Sequence, residues 1–134
     1  MPSDAKLRSN PGHLRIAYVS FFLVQSFDCF LFTSLSHRLF TDRAILTAPT
    51  HFFIRANAIT LFPFILLVFL LRDQHVSTPI GKRVAMTFTL FHGLALVLIT
   101  AYKVYGSWAL EPFWAGFAFH GAWFASGTAA LLGY

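Results

Sequence analysis

Charged residues are scarce in this chain: ten lysines and arginines and five acids among 134 residues. Soluble domains carry charge on about a quarter of their residues, so a charged, water-facing shell around a core is excluded as the general plan. Cysteine is scarcer still. Cys29 stands alone, which excludes an intramolecular disulfide and any multi-cysteine metal site; inside an apolar run it reads as a small packing residue. There is no glycine-rich phosphate loop, no G-x-S-x-G, no H-E-x-x-H and no Cys/His cluster, so the familiar nucleotide, serine-hydrolase and zinc-protease readings fall away. No apolar run carries a repeated polar stripe and no internal repeat is present, which removes the main supports for a channel or a transporter.

What the chain has is apolar length. Residues 16–35, 52–71, 84–104 and 112–132 form four runs of roughly 20 residues, each enough at about 1.5 Å per residue to cross a hydrocarbon layer of about 30 Å. Short connections predict an all-α, integral membrane, up-down-up-down four-helix bundle over residues 15–134, behind a disordered tail over 1–14. The first run has no small-residue cleavage pattern and reads as a signal anchor. The net charge of +5 does not point to nucleic acid, because the cations sit at the ends of the runs. Lys6, Arg8, Arg15, Arg72, Lys82 and Arg83 flank one side, against Arg38, Arg43 and Lys103 on the other. The excess of cytosolic cations found in membrane proteins predicts that both termini and the second loop are cytosolic.

Local signals fill in the outline. Residues 36–40 read as a short interfacial helix. Pro49 marks a helix start and Pro63 a kink, while Asp73 to Gly81 reads as a turn. Tyr102, Tyr105 and Trp108 form part of an interfacial aromatic belt. The last run carries two rows of small residues, Ala118, Ala122, Ser126, Ala130 and Gly121, Ala125, Ala129, Gly133, spaced to let a neighbouring helix approach closely.

Each run also holds an acidic, basic or imidazole side chain inside it: Asp28, Arg55, His92 and His120. Ionisable groups at membrane depth are costly unless paired or facing a polar cavity, so they are the candidate catalytic residues. Counting from the run ends places Asp28 roughly 10 Å and Arg55 roughly 6 Å below the lumenal surface, within reach of a pair. Such a pair is either a structural clamp or a general acid–base group beside an anion holder. Gln25, Asn57 and Tyr102 are the candidate substrate-pocket residues. Glu111 either joins the same mouth or is a solvated acid at a helix start. His92 and His120 lie near mid-membrane, about four residues or roughly 6 Å apart in depth. Three readings are open for them: hydrogen-bonded core residues, acid–base groups, or the two axial ligands of a haem. No other cofactor is expected, and no metal site.

Arg55-Ala56 at the start of the second run and Phe91-His92-Gly93 in the third resemble the sterol-synthesis scaffold subunits of the endoplasmic reticulum. In those an acidic residue follows the histidine, where Leu94 to Leu98 stand here. The architecture, with polar residues inside aromatic-rich spans, also resembles small fungal-type membrane enzymes of polyketide and terpenoid pathways, among them anthrone-oxygenase-like proteins. Either resemblance covers roughly residues 15–132 and implies an endoplasmic reticulum membrane protein. Two functions follow. One is an enzyme or enzyme accessory that hydrolyses, cyclises or oxidises a lipophilic intermediate without a bound cofactor, its pocket lined from the 17 phenylalanines and three tryptophans. The other is a scaffold that tethers further membrane-bound biosynthetic enzymes.

Overall fold

The computed structural model describes residues 9–27, 29, 48–105 and 113–134. Among these, every regular element is an α-helix: α1 (Gly12–Phe27), α2 (Ala48–Leu70), α3 (Pro79–Val104) and α4 (Phe113–Leu132). One stretch of them, Pro79–Ala101, is long and apolar enough to cross a membrane. The interfacial helix expected over 36–40, together with Trp108, Glu111 and Pro112, lies outside the described residues.

Helix ends differ from the sequence reading in instructive ways. α3 begins five residues before the apolar run, because Thr78 caps it: its Oγ1 accepts from the Gly81 amide at 3.0 Å, and Pro79 takes the first helical position. Proline loses nothing there, since that amide has no intrahelical partner anyway. Pro79 and Gly81, expected in a turn, are thus helical. Gly81 is needed for a different reason: a Cβ there would collide with the His75 carbonyl, which folds back over the first turn. α2 starts beside Pro49 as expected and continues as helix through Pro63.

The fold also begins earlier than a tail over 1–14 allows. Asn10 is buried, and its amide nitrogen donates to the Arg72 and Gln74 carbonyls at 2.8 and 2.7 Å. The Val76 amide donates back to Asn10 Oδ1 at 2.8 Å. One side chain therefore satisfies three backbone groups of the α2–α3 loop, which would otherwise be left unpaired. The Arg15–Asp73 ion pair at 3.2 Å joins the same two segments.

These ties set the topology. Asn10 and Arg15 meet the end of α2, and Phe22 stacks on Phe69 at 4.2 Å, so α1 and α2 are antiparallel. Tyr18 meets Phe88 while Phe21 meets His92, so α1 and α3 run parallel. α3 and α4 form the most extensive interface, antiparallel, with Ile99 against Gly116 and Phe88 against Gly127. The order is up-down-up-down, with the N-terminal segment, the α2–α3 loop and the end of α4 at one end of the bundle.

The seam between α3 and α4 follows steps of three, four and seven: Phe88, His92 and Ile99 on one side, Gly116, His120, Trp123 and Gly127 on the other. That is the spacing that keeps one stripe of each helix facing its neighbour. The two rows of small residues anticipated on α4 are not this seam. Ala118, Ala122, Ala125 and Gly133 are exposed, and only Ala130 of the eight is buried.

Candidate functional site

Phe21 of α1 is the hub of the core. Its ring lies 5.8 Å from Phe64 of α2, 5.4 Å from Phe88 and 4.8 Å from His92 of α3, and 5.3 Å from Trp123 of α4. Mostly edge-to-face, each such contact adds roughly 0.5–1.5 kcal/mol beyond its buried area. Phe88, Phe91 and Trp123 also surround the His92 imidazole, at 4.4, 5.0 and 4.9 Å between ring centres. The outcome is a polar ring fully enclosed by aromatic ones.

His92 has one polar neighbour in this cage. Its Nδ1 lies 2.9 Å from Nδ1 of His120, the half-buried histidine one helix away. Two Nδ1 atoms at that distance share a single proton, so the rings hold different tautomers and cannot both be imidazolium. His92 Nε2 is buried and has no hydrogen-bond partner among the described residues. His120 is therefore the member of the pair with surface to offer. The third polar element is Trp123, whose Nε1 donates to Ser20 Oγ at 2.9 Å; Ser20 Oγ in turn donates to the Ala17 carbonyl at 3.1 Å. That bond fixes the indole against both histidines.

The depth offset counted from the sequence is visible in the register, yet it does not separate the pair. Phe88 opposite Gly127 and Ile99 opposite Gly116 put His92 level with Trp123 rather than with His120. The two imidazoles, 5.1 Å apart between centres, reach across the remaining step. Axial haem ligation would instead hold two nitrogens about 4 Å apart, twice a metal–imidazole bond of about 2 Å. Nδ1 to Nδ1 at 2.9 Å does not fit that role. No group of three or more metal-ligating side chains occurs among the described residues.

The other anticipated site residues are described only in part. Asp28 lies outside the described residues, as do the side chains of Arg55 near the start of α2 and Tyr102 near the end of α3. Gln25 is half-buried on α1 and Asn57 is exposed on α2. Sequence reasoning missed the cage, Phe21, Phe88, Phe91 and Trp123. A signal for part of it was present: Phe88 and Trp123 stand four and three residues from the histidines, on the same stripes.

One turn beyond the pair, between α3 and α4, runs an apolar groove of about 540 Å³, lined by Leu96, Val97, Thr100, Ala101, Val104, Tyr105 and Phe117. Leu96 follows His92 by four residues and Phe117 precedes His120 by three, so groove and pair share one face of the seam. No family model, curated protein or solved structure matches this chain.

Proposed function

We propose that the chain is a four-span endoplasmic reticulum membrane protein that presents a histidine acid–base pair to a lipophilic small molecule, such as a polyketide or terpenoid intermediate. The observation that carries this reading is the 2.9 Å contact between His92 and His120 inside an aromatic cage. When His120 donates across that bond, its Nε2 is a free lone pair and a base. The proton taken at Nε2 makes His120 an imidazolium that still donates through Nδ1 to His92, and that Nε2–H is the acid that gives the proton back. One pair thus serves reactions that need a proton taken and a proton given, as epoxide hydration and ring closure do. His120 meets the ligand, and His92 is its positioning residue.

The membrane part rests on the distribution of polarity. α3, the helix long enough to span, is only 22% buried over its apolar window, whereas a soluble core helix would be mostly buried. Between Phe88 and Ile99 its exposed side chains are all apolar, with Leu90, Leu94 and Val97 at 62, 61 and 68% exposure, and its polar His92 faces inward. This is the arrangement that lipid favours. The groove has the size of small-molecule sites, about 300–1,000 Å³, and its lining suits a hydrocarbon. Asp28 and Arg55 belong to the same proposal as a second, lumenal acid–base pair.

One observation favours a tether instead. His92 is fully enclosed, and a bond with no access serves equally to lock α3 to α4 in a scaffold for other membrane enzymes. Expression alone in a neutral host, fed with candidate lipophilic intermediates, separates the two. Conversion by wild type that falls about 10²-fold or more in His120→Ala at equal protein level supports acid–base catalysis. Conversion unchanged in His120→Ala removes the pair from the chemistry, and loss in Asp28→Asn alone moves the site to the lumenal pair. No conversion, with co-purification of pathway enzymes, establishes the tether.

A further inference from the structure

The end of the bundle that joins the N-terminal segment, the α2–α3 loop and the start of α3 carries four cations among the described residues, Arg15, Arg72, Lys82 and Arg83, and one carboxylate, Asp73. Asp73 is already bracketed, by Arg15 at 3.2 Å and Arg72 at 3.6 Å. Arg72 is further pinned: its guanidinium lies 4.3 Å over the Phe69 ring and donates to the Phe69 carbonyl at 2.9 Å. Lys82 and Arg83 are exposed in the first turn of α3, with no acidic residue in that turn and no ion pair to a described residue. Positive charge is disfavoured at a helix N-terminus, where the backbone dipole already points its positive end. An external anion turns this local penalty into attraction for both the side chains and the helix end.

The cations stand where such an anion would be a phospholipid phosphate. Arg15 adjoins exposed Ile16, Arg72 follows exposed Leu70, and Lys82 and Arg83 lie between exposed Ile80 and Met86. Each therefore sits at the rim of the outward apolar surface, the depth of headgroups if that surface is lipid-facing. We infer that this basic rim, Lys82 and Arg83 above all, binds the headgroups of anionic phospholipids. The inference rests on the membrane reading above.

The test uses the full chain reconstituted in nanodiscs and analysed for retained lipid, with equal phosphatidylserine and phosphatidylcholine supplied. Wild type is expected to retain phosphatidylserine in excess, with about fivefold of that preference lost for each cation removed in Lys82→Gln and Arg83→Gln at low salt. Both substitutions relieve the dipole conflict, so the helix gains stability while lipid preference falls, a pairing that misfolding does not produce. Asp73→Asn is expected to raise the preference. Equal retention of both lipids by wild type, or a preference untouched by both substitutions, overturns the inference while leaving membrane insertion intact. Loss of the preference to millimolar inorganic phosphate also overturns it, since the site would then be one for a free anion. Failure to enter nanodiscs of either composition overturns the membrane reading itself.

Discussion

Nδ1 of His92 and Nδ1 of His120 meet at 2.9 Å across the α3–α4 seam, and the aromatic rings around His92 leave it no other polar partner among the described residues. Everything proposed for the site depends on that contact. Its energetics are asymmetric, because an unpaired buried nitrogen costs more than a hydrogen bond is worth.

Removing the second histidine should therefore hurt less than removing the first. His120→Phe is expected to cost about 1–3 kcal/mol, because it strands His92 Nδ1 in the cage, while the added cost of His92→Phe in that background falls to about 1 kcal/mol or less. Thermal unfolding of the two single variants and the double variant in detergent measures the coupling. Additive costs would mean that the bond is not formed.

The Trp123–Ser20 bond offers a second cycle. Ser20→Ala leaves the indole N–H without its acceptor and is expected to cost about 1–3 kcal/mol in wild type. In a Trp123→Phe background the same substitution is expected to cost about 0.5 kcal/mol or less, as a half-buried position with nothing left to satisfy.

How much of this could be read from the chain depends on which property each feature rests on. The four helices follow from apolar length, and the polar residues worth watching follow from their cost in lipid. His92 and His120 were both found that way. Depth also groups them as a pair, but their direct contact does not follow from it, since counting from run ends gives heights and no rotation about the helix axis. Rotation is set by the seam, where Gly127 fits against Phe88 and Thr89. Spacing small residues by four pointed to Ala118, Ala122 and Gly121 instead, because that rule ignores the large residues, Trp123 and His120, that share the stripe. Asn10 was missed for a similar reason: an asparagine beside Pro11 and Gly12 looks like tail until its three loop partners, more than 60 positions away, are known.

Glycine substitutions distinguish the observed seam from the expected rows. Gly127→Ala places a Cβ against Thr89 Oγ1 and must displace the Thr89 side chain or the helix that carries it, whereas Gly121→Ala meets nothing within 4 Å. The first is expected to destabilise by about 1–3 kcal/mol, the second to stabilise by about 0.5–1 kcal/mol through helix propensity. Equal effects at the two positions would refute the seam.

Asn10→Ala strands the Val76 amide and two loop carbonyls. Hydrogen exchange is expected to quicken over residues 72–78 while the α3–α4 seam keeps its protection, because the clamp holds a loop rather than the core. Unchanged exchange in that loop would show that Asn10 does not fasten it.

The most direct measurement is nitrogen NMR of imidazole-labelled protein in bilayers, looking for scalar coupling between the two Nδ1 atoms across their shared proton. A coupled Nδ1–Nδ1 pair that vanishes in His120→Ala is the expected result. Two uncoupled histidines, each with its own solvent-like tautomer mixture, would contradict the site on which the acid–base account stands.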